Sequence, residues 1–201
     1  MKIYTRRGDD GTTGLLYGGR VPKTAAVIAA NGAVDEAQAA LGVVRAEVER
    51  GSELDELLVA LERDLYVAMA ELATAPANRH KLQDGRSRVH PPMVAALEAR
   101  IDELTGRFPP LTDFVVPGHD RVSALLDVAR TAVRRAERAV LAAGAGPDDA
   151  PPAGSLVAAY LNRLSDLVWT MARWQEQGES LLSRQAPPLT TDAPEEPPDV
   201  P

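Results

Sequence analysis

Two stretches of this sequence carry residue types suited to holding an anion. The first is TRRGDDGTTGLLYGG, residues 5–19, where Gly8, Gly11, Gly14, Gly18 and Gly19 are interleaved with Thr5, Thr12 and Thr13, and Lys23 follows. Glycines let backbone N–H groups approach phosphate oxygens closely, and threonine hydroxyls add donors or a magnesium contact. The stretch is not a Walker A loop, because it lacks G-x-x-x-x-G-K-[ST] and a preceding strand. Taken alone, it reads first as a flexible N-terminal segment.

The second stretch is FVVPGHDRVSALLDVARTAVRRAER, residues 114–138, which carries Arg121, Arg130, Arg134, Arg135 and Arg138 in an otherwise acidic chain. On a wheel of about 3.6 residues per turn, Leu125, Leu126, Ala129, Ala132, Val133, Ala136 and Val140 share one apolar arc. Asp127, Arg130, Arg134, Glu137 and Arg138 fall on a neighbouring stripe. A solvated charged face explains that stripe, and so does a cationic strip aimed at an anion; composition alone leaves the choice open. Arginine suits phosphate because its planar fork donates in pairs and stays charged. The glycine stretch and the arginine stripe together favour a triphosphate site.

Those groups need a frame, and the composition supplies a helical one. Of the 201 residues 45% are hydrophobic and only 4% aromatic, with alanine, leucine and valine dominant, as in helix bundles. The formal net charge of -7 argues against a general nucleic-acid binder. There is no cysteine, hence no disulfide frame or thiolate metal site. The first residues turn polar at once and no apolar run is long enough to span a bilayer, so a cytoplasmic protein away from the membrane is expected.

Apolar spacing predicts five helices, over Thr24 to Arg50, Glu53 to Ala75, Met93 to Thr105, Asp120 to Ala143 and Ser155 to Ser183. Ser52 followed by Asp55 marks the second start. Residues 1–23 read as a glycine loop rather than an element. Residues 76–92 read as a polar loop, and Pro109, Pro110 and Pro117 keep the segment before the fourth helix extended or turning. The expectation is an all-α five-helix bundle over residues 1–185, followed by a disordered proline-rich tail over 186–201.

Four motifs in order, TRRGDDGTTGL, AVDEAQAALG (33–42), FVVPG…ALLDVARTAVRRAER (114–138) and YLNRLSDLVWTMAR (160–173), resemble the PduO-type ATP:cob(I)alamin adenosyltransferases. The resemblance covers about residues 3–175. It implies a homotrimeric five-helix bundle with active sites between subunits. The activity it implies is transfer of the 5′-deoxyadenosyl group of ATP to the Co(I) centre of a corrinoid, with triphosphate released and Mg²⁺ accompanying ATP. By motif position, Thr5, Gly8, Asp9, Gly11, Thr12, Thr13 and Lys23 would hold ATP. Arg130, Arg134, Glu137 and Asn162 would complete that site from the facing subunit. Asp35 would pair with Arg130 across the interface, and Phe114 would sit beneath the corrin ring. A reductase and an adenosylcobalamin-dependent enzyme would be partners.

The chain departs from the family pattern at His119, where a second glycine is usual, and at Asp127, where histidine is usual and where a carboxylate could pair with Arg130 or Arg134. A non-catalytic corrinoid- or nucleotide-binding carrier or sensor on the same fold is the competing expectation. Without the motif, Phe114 would read as a core aromatic, and Asn162 with Asp166 as a polar helix face. His80, His90 and His119 lack ligand spacing, so no protein-bound metal centre is expected. Leu161, Leu164, Val168 and Met171 read as core, and Trp169 and Trp174 as packing or interface residues.

Overall fold

In a computed structural model, the chain is described over residues 3–144 and 154–185. Five α-helices carry the described residues: α1 (Ala26–Ala46), α2 (Glu53–Leu72), α3 (Pro91–Thr105), α4 (Arg121–Ala143) and α5 (Val157–Gln175). A 3₁₀ helix, Pro76–Lys81, sits in the polar loop. The expected tail, 186–201, lies outside the described residues.

Side-chain pairs fix the packing. Arg121 bonds Glu47 and Arg135 bonds Glu36, so α4 runs antiparallel to α1. Asn162 meets Glu137 while Arg173 meets Asp127, so α5 runs back along α4. Arg163 meets Glu98 and Arg107 stacks over Trp174, placing α3 parallel to α5. The core is aliphatic: Leu41, Leu58, Leu126, Leu164 and Met171 are fully buried, and each such side chain contributes roughly 1.5–3 kcal/mol. On α4, Leu126, Ala129, Ala132, Val133, Ala136 and Val140 are buried as their arc predicts, with Leu125 packed at its edge.

The helix ends follow local chemistry. Ser52 Oγ accepts from the backbone N–H of Asp55 at 3.2 Å and opens α2. Asp120 and Ser123 form a reciprocal capping box at α4. Two expectations need correction. Residues 12–22 hold a hairpin as well as a loop: β1 (Thr12–Gly14) pairs antiparallel with β2 (Arg20–Pro22). Its turn needs left-handed backbone, which Gly18 and Gly19 adopt at φ of 100° and 97°. The fifth helix stops at Gln175 rather than Ser183. Gly178 takes φ of 88°, and a Cβ there would lie 3.0 Å from Pro109 Cδ, so the chain turns and residues 180–185 run back beside residues 113–116.

Tyr160 is fully buried and its hydroxyl donates to Asp64 Oδ2 at 3.0 Å. Burial pushes the Asp64 carboxyl up, against the opposing pull of that hydrogen bond. Asp64 therefore binds its proton more tightly folded than unfolded. Its contribution to stability is full below the unfolded carboxyl value of about 4 and is lost as pH rises through the higher folded value. Urea unfolding at a series of pH values should show this component in the wild type and its absence in Asp64→Asn; identical slopes would contradict it.

Candidate functional site

The hairpin positions the first group of residues. Asp10 Oδ1 accepts from Thr12 N–H at 2.9 Å and from the Thr12 hydroxyl at 2.8 Å. The bond from the Thr12 backbone N–H, aided by the Thr12 hydroxyl, holds the exposed Asp10 carboxyl below its ordinary range. Arg20 donates from Nε to Thr12 Oγ1 at 2.9 Å, and its Nη2 reaches the Arg7 carbonyl. The Thr12 hydroxyl is thus committed within the hairpin, which leaves Thr5, Asp9 and Thr13 as the oxygen-bearing side chains for a ligand. Lys23 N–H donates to the Gly11 carbonyl at 2.9 Å, and a Cβ on Gly8 would lie 3.1 Å from Lys23 Nζ. Glycine at position 8 lets the ammonium rest against the backbone. The hairpin is moored to the end of α2 by Leu16 N–H on the Ala73 carbonyl at 2.8 Å, and to the 3₁₀ helix by Asn78 on the carbonyls of Tyr17 and Gly18.

The second group lines α4 and α5. Arg134 and Arg138 are exposed and have no ion-pair partner among the described residues. Arg130 is half-buried, with Nε on Asp127 Oδ1 at 3.0 Å. Glu137 Oε1 accepts from Asn162 Nδ2 at 3.0 Å, and both line a cavity of about 250 Å³ with Val94, Leu141 and Ala158. Asp35 is exposed on α1 and makes no polar contact among the described residues. Phe114 is 85% exposed, which excludes the core-aromatic reading within this chain.

Asp127 corrects the wheel. Placed by periodicity on the charged stripe beside the apolar arc, it is buried, because Arg173 of α5 reaches its Oδ2 at 2.8 Å. Its partners are Arg130 and Arg173, and Arg134 is not among them. Arg173 is itself buried, stacks over Trp169, and donates to Glu176 Oε1 at 2.7 Å. Sequence reasoning missed Arg173 and Glu176. One signal existed: Asn162, Asp166 and Arg173 recur at i, i+4 and i+11, a single face of α5. The chain after Gln175, read as more helix, hid the rest.

Within one chain the two groups stay apart. No hydrogen bond or ion pair among the described residues joins the hairpin to α4 or α5. A cavity of about 610 Å³ lies beside Glu71, Arg88 and His90 and contains none of the predicted site residues. Within one chain the hairpin and the α4–α5 face are therefore two separate groups, each with donors suited to an anion.

Comparison with known proteins bears on what such a site would bind. The family model for cobalamin adenosyltransferase matches residues 3–175. A corrinoid adenosyltransferase of Mycobacterium tuberculosis is 43% identical over 180 residues, spanning 86% of this chain and 87% of the relative. One from Citrobacter freundii is 40% identical over 175 residues, spanning 87% and 95%. Among solved structures, a phenylalanine-to-alanine variant of the PduO-type ATP:corrinoid adenosyltransferase from Lactobacillus reuteri, complexed with cobalamin and ATP, superposes with a TM-score of 0.79. It is 28% identical, and the match covers 91% of this chain and 99% of that one.

Proposed function

The chain belongs to the cobalamin adenosyltransferase family, and on that premise we propose how its residues carry the reaction. The protein is an ATP:corrinoid adenosyltransferase. Co(I) of the corrinoid attacks C5′ of ATP; a Co–C bond forms, the C5′–O bond breaks, and its electron pair leaves on triphosphate. No side chain need move a proton in that step. The protein's tasks are to align cobalt with C5′ and to stabilise charge gathering on the leaving group.

The observation that carries the residue assignment is complementarity between unsatisfied groups. Among the described residues Arg134 and Arg138 on α4 lack ion-pair partners, Asp35 on α1 lacks one, and the hairpin holds Lys23 over a glycine cradle. In a homotrimer, Thr5, Gly8, Asp9, Gly11, Thr13 and Lys23 would hold ATP from one subunit, with Thr12 fixing the shape of the hairpin through Asp10 and Arg20. Arg130 and Arg134 would grip its triphosphate from the next, with Glu137 and Asn162 fixing each other beside them. Asp35 would take the Nη groups of Arg130, whose Nε is already on Asp127. Mg²⁺ would arrive with ATP, because no cluster of three or more His, Cys, Asp or Glu exists among the described residues. Hard oxygens from Asp9 or Thr13 fit a magnesium ion that is ligated chiefly by phosphates. Phe114, exposed on its loop, would cover the lower corrin face, excluding water and a lower ligand so that Co(II) is easier to reduce.

No helix among the described residues is long and apolar enough to cross a membrane, and a cytoplasmic enzyme supplied by a reductase and serving an adenosylcobalamin-dependent enzyme fits this chemistry. The test is to incubate the protein with ATP, Mg²⁺ and chemically reduced cob(I)alamin and to follow adenosylcobalamin and triphosphate. Tight corrinoid binding without product would instead identify a carrier. Arg134→Lys keeps the charge but loses the fork, so catalytic efficiency should drop about tenfold or more with helicity intact. Wild-type kinetics for that variant would remove Arg134 from the site.

A further inference from the structure

The buried charges beside Arg130 continue into an unbroken polar chain. Arg130 Nε is on Asp127 Oδ1, and Arg173 Nη2 lies 2.8 Å from Asp127 Oδ2 and 2.7 Å from Glu176 Oε1. The second Glu176 oxygen accepts from the Ser180 hydroxyl. Past Ser180, the Leu181 carbonyl accepts from Val116 N–H at 2.8 Å, and Ser183 N–H donates to the Phe114 carbonyl at 2.7 Å. Arg184 meets Asp113 at 3.0 Å, and His119 lies 3.6 Å from Glu179. The chain starts at the arginine assigned to ATP and ends on the backbone around the phenylalanine assigned to the corrinoid.

The interior of this chain is buried and costly to disturb. Asp127, Arg173 and Glu176 are 6%, 1% and 1% exposed. With Arg130 they make two cations and two anions, so formal charge cancels, and removing one member strands its neighbours. Apolar residues would fill that space at least as stably, so stability alone does not account for four charges in a row. The outer end is different: Ser183, Leu181 and Phe114 are exposed, and beyond Ser180 the polar contacts of the strap over residues 181–185 with the other described residues go to residues 113–116. A buried, hydrogen-bonded relay ending on an exposed strap can transmit order from one site to the other.

We propose that Arg173, Glu176 and Ser180 are positioning residues coupling the two substrate sites. ATP fixed on Arg130 steadies Asp127, Arg173 and Glu176, which hold Ser180 and with it the strap that presents Phe114. Linkage makes the effect reciprocal: corrinoid against Phe114 favours the Arg130 geometry that binds ATP. The coupling rests on the assignment of Arg130 to ATP and Phe114 to the corrinoid.

The experiment is amide hydrogen exchange at Val116 and Ser183 on the full chain, with and without ATP and Mg²⁺, beside calorimetric ATP titration. In the wild type, ATP should slow both amides. In Ser180→Ala, both should exchange about tenfold faster without ligand, as expected for losing a hydrogen bond to a charged group. ATP should then no longer slow them, although its affinity stays within about twofold of wild type. Glu176→Gln should give the same loss, and unchanged exchange at Leu126 and Leu164 would show that both variants fold. Wild-type exchange in Ser180→Ala, or equal slowing by ATP in both proteins, overturns the coupling alone. Failure of the wild type to bind ATP overturns the site assignment and the coupling with it.

Discussion

Phe114→Ala should leave the fold intact and cripple the route that begins from Co(II). Phe114 is 85% exposed, so its removal should change stability by no more than about 0.5 kcal/mol, whereas truncating a core aromatic costs about 3–5 kcal/mol. Its proposed work is to clear the lower corrin face, which matters for forming Co(I) and less for its attack on C5′. Coupled reduction and adenosylation from Co(II) should therefore fall about 10–100-fold further than adenosylation of chemically reduced Co(I). Equal losses in the two assays would reassign Phe114 to packing between subunits.

Arg130→Ala and Asp35→Asn should each lower turnover by about 100-fold or more, and together should be far less than multiplicatively worse, because either change breaks the contact proposed between them. The structure separates their side effects. Asp35 has no partner among the described residues, so Asp35→Asn should keep wild-type stability. Arg130→Ala leaves Asp127 buried, but Arg173 still bonds it. The stability loss should therefore fall short of the roughly 3–5 kcal/mol seen when a buried ion is left wholly unpaired. Thermal unfolding beside steady-state kinetics reads both effects. A full multiplicative loss in the double variant would mean the residues act independently.

Much of this organisation is written locally in the chain. The α4 apolar arc, the Ser52 start of α2 and the stop after Ala143 follow from periodicity and capping, which depend on neighbours within a turn or two. Asp127 was misplaced because a helical wheel has no second helix: at its edge position, burial depends on Arg173, 46 residues away. The end of α5 was misread because WQEQGESLLSR contains good helix formers, while Gly178 takes left-handed backbone against Pro109, a contact of long sequence separation. The hairpin was missed because its strands have three residues each, too few for alternation to show. Phe114 read as core without the motif because composition cannot say that its loop faces outward.

If the arginine face of one chain completes the hairpin site of another, two inactive variants should complement each other when mixed. Asp35→Asn and Arg130→Ala subunits, co-expressed with different tags and purified as hybrids, should regain adenosyl transfer. In a trimer of mixed composition about one interface in three carries neither change. Activity near a third of wild type is the predicted result, against almost none for either variant alone. Confirmed hybrids that stay inactive would contradict a site shared between subunits.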